Sequence, residues 1–157
     1  MSYRLSRNCE ASLIDYFRQE LSNDGWQNIQ CEKSLKNEEI KLPAILIYCS
    51  NTDAELEEIG SSSFIKYPNI TIRIYGKDEG SREDLADWIL EKLEGNIDYY
   101  QYVVTNGQVS SKILSGSFTI RKIIRNEKEF SNTDPEALEF RDRYRHNITF
   151  SCYVGII

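Results

Sequence analysis

Few side chains in this sequence are spaced for chemistry. The single histidine, His146, falls on the inward register of an alternating run from Tyr144 to Val154. A general base needs an orienting partner and a nucleophile within hydrogen-bond reach, and the sequence assigns neither. A packed or edge histidine with a hydrogen bond is therefore expected, and its bracket of Arg143, Tyr144 and Arg145 reads as a subunit contact. Gly76-Lys77-Asp78-Glu79-Gly80-Ser81 invites comparison with a phosphate loop, but the GxxxxGK[ST] pattern is not met and an anion would face Asp78 and Glu79. The acidic pairs Glu38-Glu39, Asp78-Glu79 and Glu83-Asp84 are sequence neighbours, which rarely converge on one ion, so they are expected to be solvated charge. Cys9, Cys31, Cys49 and Cys152 form no CxxC pair and are expected to be reduced thiols. No catalytic, cofactor-binding or metal-binding residue is assigned, and the expectation is a protein that is not an enzyme and carries no cofactor.

The elements that would position any site are clearer. A first helix should start near Ser6 or Asn8, either able to cap, present Leu13, Ile14, Phe17 and Leu21 on one stripe, and end at Asn23-Asp24-Gly25. Trp26 to Glu32 suits a short strand, and Lys33 to Lys41 a polar loop. Ala44 to Cys49 is apolar on both faces and is expected to be a central strand covered on each side. Asn51 to Ser63 is expected to be a mobile or bulged edge. Tyr67 to Tyr75 alternates, with Ile70, Ile72 and Ile74 on one face. A second helix is expected with a near capping box at Ser81 and Asp84, a stripe through Leu85, Ile89 and Leu93, and Gly95 as its left-handed stop. Asn106-Gly107 marks a hairpin between Tyr99–Val104 and Gln108–Leu114. Phe118 to Arg125 is expected to be a strand, Asn126 to Arg143 a charged connection with a short helix at Asp134-Pro135, and Arg143 to Val154 the closing strand. The sum is an α+β fold: a mostly antiparallel sheet with two helices packed on it and a protruding hairpin.

At 157 residues the chain is long enough for one domain, spanning 1–157, that buries roughly 68–70% of its unfolded surface. Mobile segments are expected at 33–41, 51–63, 105–108 and 126–142. The N-terminus lacks the apolar run of about 7–15 residues that marks a signal peptide, and Ala44–Cys49, the longest apolar run, falls far short of a membrane span. A cytosolic protein without membrane contact is expected. The net charge of −6 argues against general affinity for nucleic acid, which requires a basic face. Between Asp78 and Asp98 eight acids stand against Arg82 and Lys92, an excess equal to the whole net charge. Ten tyrosines suit both strands and interfaces, and the cluster Tyr99, Tyr100 and Tyr102 beside the hairpin favours an interface.

The succession of a helix ending in Gly25-Trp26, then Leu42-Pro43-Ala44-Ile45-Leu46-Ile47, Glu57-Glu58-Ile59-Gly60-Ser61, Ile70-Thr71-Ile72-Arg73-Ile74-Tyr75-Gly76, the helix Arg82–Leu90 and a closing strand through Ile148-Thr149-Phe150 resembles the tail-terminator and tail-completion (neck) proteins of long-tailed bacteriophages. The resemblance spans most of the chain and rests on patterning. It implies a structural virion protein, assembled in the host cytoplasm and resident in the neck. There a homo-oligomeric ring, usually a hexamer, stops growth of the tail tube and offers a surface to the head. The implied partners are further copies of the chain, the tail tube protein and a head completion or connector protein, with DNA passing through unbound. On this reading Tyr99, Tyr100, Tyr102, Asn106, Gly107, Arg143 and Arg145 are expected at the ring or tube interface. Asp78, Glu79, Glu83 and Asp84 are expected to line an acidic lumen that repels phosphate within about a Debye length of 8–10 Å. The competing readings are another neck component, such as a head-completion or stopper protein, and, from a different class, a small cytosolic ligand-binding domain or enzyme without a recognisable motif.

Overall fold

Leu5, Cys9, Leu13, Ile14, Phe17 and Leu21 recur at three- and four-residue spacing and are all buried, and this stripe makes Leu5–Asn23 the first helix, α1. Neither expected cap is used. The helix follows Arg4 without a side-chain cap, and Asn8 lies inside it, buried against the sheet. Its end is a Schellman motif: Gly25 takes φ +78°, Trp26 N–H donates to the Leu21 carbonyl at 2.9 Å, and Gly25 N–H to that of Ser22 at 3.3 Å.

The computed structural model describes residues 4–34, 41–60, 62–129 and 144–157. Its sheet has six strands: β1 (Gln30–Glu32), β2 (Ala44–Leu56), β3 (Phe64–Tyr75), β4 (Ile97–Thr105), β5 (Gln108–Glu129) and β6 (Arg145–Ile156). They are ordered β1-β2-β3-β6-β5-β4, and only β1–β2 is parallel. The second helix, α2, spans Glu79–Leu93 between β3 and β4. This is the expected α+β architecture.

Both helices share one face of the sheet, where one apolar cluster joins Leu13 and Phe17 of α1 and Leu85 and Ile89 of α2 to Ile45, Ile72, Ile148 and Phe150. The helices also clasp each other. The Trp88 ring lies 6.0 Å from both Phe17 and Trp26, and Lys92 reaches Glu20 at 3.0 Å and Asp24 at 2.8 Å. Because α1 touches β1, β2 and β3 on one side and β4 on the other, the sheet curls around it.

Several expectations shift. The α2 cap is Asp78: its Oδ1 accepts the Ser81 N–H at 2.7 Å while Ser81 Oγ accepts the Asp78 N–H at 3.1 Å. The capping box thus sits three residues early, because Asp78 has the extended backbone a cap needs, and only Glu79 is an acid of the first turn. Gly95 is not left-handed; a Cβ there would stand 3.1 Å from the Tyr16 hydroxyl, so close packing explains it. β2 does not stop at Cys49 but continues past a register shift between Cys49 and Asn51 to pair Leu56 with Phe64. Helices cover only one of its faces; the other carries the small cluster of Leu42, Ala44, Leu46 and Tyr75. The two strands expected over 108–125 are a single strand of 22 residues. Register shifts near Arg121 and Ile124 break its alternation, and its end through Glu129 belongs to the ladder with β6 rather than to a connection. The Asp134-Pro135 helix, Arg143 and most of the 33–41 loop lie outside the described residues.

Candidate interaction surfaces

β4 is the sheet's edge, and an edge leaves backbone groups unpaired. Two buried polar residues of α1 close part of it. Ser12 Oγ accepts the Tyr100 N–H at 2.9 Å and donates to its carbonyl at 3.3 Å, and Asn8 Oδ1 accepts the Tyr102 N–H at 3.3 Å. Beyond Tyr102 no side chain of α1 among the described residues reaches the edge, and Thr105 to Leu114 are exposed.

The three clustered tyrosines have different fates. Tyr99 is a core residue, 1% exposed, with its ring edge-on to Phe118 at 5.8 Å; it cannot serve a surface contact in this fold, because it continues the inward alternation of Ile97. Tyr102 donates its hydroxyl to Asp15 at 2.6 Å, and burial, with that carboxylate, pushes the phenol above its ordinary value. Tyr100 lies under Lys112 Nζ at 4.4 Å, and Lys112 reaches Asp15 at 3.6 Å. Tyr100 and Tyr102 therefore fasten the β4–β5 ribbon to α1. On either side of the Asp15–Lys112 pair lies a cleft, one of about 470 Å³ reaching Arg18, Glu32 and Val109, the other of about 370 Å³ reaching Glu20, Asn96 and Asp98. Asn106 and Gly107, at φ 53° and 78°, form the exposed hairpin turn that their sequence predicts.

The four acids assigned to a lumen sit at the start of α2 and are not equivalent. Asp78 is spent as the cap. Glu83 pairs with Lys128, which holds its carboxyl below the usual range. Glu79 lies 3.5 Å from Arg82 and 3.9 Å from Lys128. Asp84 is exposed, as are Asp87, Glu91 and Glu94 further along the helix. Arg82, which in sequence stands among the acids between Asp78 and Asp98, is 4% exposed and stacks toward the Tyr144 ring at 5.7 Å.

His146 is packed and hydrogen-bonded. Its Nε2 lies 2.6 Å from Asn126 Oδ1, an acceptor, which assigns the proton to Nε2, and Nδ1 is buried without a partner among the described residues. Burial, then the Arg82 and Lys128 cations, lower its pKa, so the ring is neutral at pH 7. Arg145 is half-buried and reaches Glu129 at 3.5 Å. Cys9, Cys31 and Cys152 are buried free thiols, Cys31 and Cys152 pushed up by burial to about 12, which leaves them protonated and unreactive. Among the described residues no three histidine, cysteine, aspartate or glutamate side chains converge to hold a metal.

No protein-family model matches this chain, and no curated protein matches it either. The surface itself is therefore the guide to function.

Two features of that surface were not singled out in the sequence. The first is a pair of apolar arms: Leu56, Ile59 and Phe64 stand out on the β2–β3 hairpin, and Val103, Val109, Ile113 and Leu114 on the β4–β5 ribbon, each at least 40% exposed. The second is charge segregation. Asn51–Ile65 carries Asp53, Glu55, Glu57 and Glu58 and no base, whereas Tyr99–Asn126 carries Lys112, Arg121, Lys122 and Arg125 and no acid. The run without acids was the available signal, masked when charge is summed over the chain because the two segments cancel; of its bases only Lys112 lies on the β4–β5 ribbon, while Lys122 and Arg125 lie where β5 pairs with β6.

Proposed function

We propose that this chain is the subunit of a phage tail terminator, a homo-oligomeric ring that sits on the head-proximal end of the tail tube, stops its polymerisation and presents a surface to the head connector. The observation that carries the reading is the pair of hairpin arms. Each extends past the helix-covered core and displays large apolar side chains that the single chain does not bury. Clustered exposed apolar surface marks association, and two different patches on one chain favour a head-to-tail contact, the kind that closes into rings. The sequence pattern of the neck proteins supports the same architecture.

The outer face of α2, with Asp84, Asp87, Glu91 and Glu94 all exposed, is the part of the subunit assigned to the channel wall, where like charge keeps DNA moving rather than bound. Light scattering on the eluting protein, alone and with polymerising tube protein, tests the proposal. The expected result is a ring, hexameric on the family pattern, or a monomer that assembles on tube ends and fixes tube length. A monomer that leaves tube polymerisation unchanged overturns it.

A further inference from the structure

The tip of the β4–β5 ribbon holds the one asparagine–glycine step of the chain, Asn106-Gly107. Both residues are exposed and stand outside the ladder, whose last pair is Thr105–Gln108. In such a turn the flanking pair makes the main-chain bonds, so the Gly107 N–H is not used by the ladder. The side-chain bonds of the tip join Thr105 to Ser110 at 3.2 Å and Ser110 to the Val103 carbonyl at 3.2 Å, and neither takes up the Asn106 amide. No atom lies within 4 Å of the place a Gly107 Cβ would occupy, so nothing screens its nitrogen. Other asparagines lack this combination. Asn8, Asn69 and Asn147 are buried. Asn23, Asn51 and Asn96 are exposed but precede Asp24, Thr52 and Ile97, whose side chains crowd the following amide nitrogen.

We propose that Asn106-Gly107 is a site of spontaneous covalent modification, at which the Gly107 backbone nitrogen attacks the side-chain amide carbon of Asn106. The nitrogen gives up its proton, the new N–C bond closes a five-membered succinimide, and the side-chain amine leaves as ammonia. Water then opens the ring. Cleavage of the new bond leaves an ordinary aspartate, and cleavage of the original main-chain bond leaves an isoaspartate. One water is consumed and one ammonia released, with no other reactant. Nucleophile and electrophile belong to adjacent residues, so the reaction needs only the right local geometry. Asn106 at φ 53° is held in the turn, and the turn must open for the nitrogen to reach the amide carbon. That opening is local: it lies beyond the last ladder pair and above the register shift between Val103 and Val104, so it requires no global unfolding. Isoaspartate adds a carbon to the main chain, which a two-residue turn cannot absorb without losing its match to the strands. Either product also places a carboxylate in Tyr99–Asn126, a segment without an acid. The ribbon tip therefore ages chemically while the helix-covered core is unaffected.

Peptide mapping by mass spectrometry, on purified full-length protein held folded at mildly alkaline pH, tests the assignment. The peptide containing Asn106 is expected to gain about 1 Da and to separate into aspartate and isoaspartate forms. Its conversion is expected to outpace that at Asn23, Asn51 or Asn96 by more than about tenfold, and to quicken as the pH rises, because the attacking nitrogen must lose its proton. Asn106→Gln, for which the corresponding ring has six members, is expected to keep the wild-type circular dichroism and to stay unmodified over the same time. Conversion of Asn106 no faster than at the other three exposed asparagines overturns the site. Conversion to aspartate alone, without isoaspartate, overturns the cyclic route, since direct hydrolysis never breaks the main chain.

Discussion

At the scale of single residues, the sequence is most legible where a side chain answers to one neighbour only. Ile70, Ile72 and Ile74 are fully buried, as strict alternation requires, and Asn106-Gly107 turns because both residues tolerate positive φ. Residues answering to distant contacts are hidden. Arg82 looks like a solvated member of an acidic helix and is buried under Tyr144; Tyr99 looks like an interface residue and is core. Gly116 belongs to the hidden class. A Cβ built there would lie 2.0 Å from the Gly155 carbonyl oxygen, a backbone atom that cannot swing aside. Gly116→Ala is expected to destabilise the fold by about 1–3 kcal/mol or more, as overpacking does. Thermal unfolding by circular dichroism checks this, and an unchanged midpoint would refute the close approach of β5 and β6.

Elements follow from local pattern where the pattern is uninterrupted. α1, the alternating part of β3 and the hairpin were all legible for that reason. β5 was not, because two register shifts within it reverse the inward parity, and a strand with broken parity resembles two strands and a loop. The same holds for β2, whose outer half alternates around no core of its own. How an element is held is a tertiary matter. Asn8 could cap α1 by type, yet it and Ser12 are used to satisfy the edge of β4. Ser12→Ala would leave the part-buried Tyr100 amide without its acceptor, at a cost of about 1 kcal/mol or more. Native-state hydrogen exchange should show the Tyr100 amide losing protection by more than global destabilisation explains; equal losses across the sheet would contradict this local role.

For the whole molecule, stability near neutral pH depends on a single titrating ring. His146 is the only histidine, and its folded pKa lies below the unfolded value of about 6.5, so the unfolded chain binds more protons in the window beneath that value. Arg82 and Asp87 of α2 and Lys128 and Glu127 of β5 act on it; burial and the two cations prevail. Stability is therefore expected to be fully present above the unfolded pKa of about 6.5 and to fall as the pH drops below it toward the lowered folded pKa, by no more than about 1.4 kcal/mol per pH unit for one proton. His146→Gln should flatten that slope in denaturant titrations. A slope unchanged by the substitution would place the linked proton elsewhere.

The sequence by itself determined the α+β class, the two amphipathic helices, the buried face of the sheet and the hairpin turn, because each depends on periodicity or on the φ preference of a few adjacent residues. Only the tertiary structure decided where β5 shifts register, which tyrosine is core, and which charges remain for partners. Those outcomes depend on strands far apart in the chain meeting in one register. That register leaves the acidic β2–β3 hairpin and the apolar β4–β5 ribbon both exposed on a subunit whose summed charge reports neither.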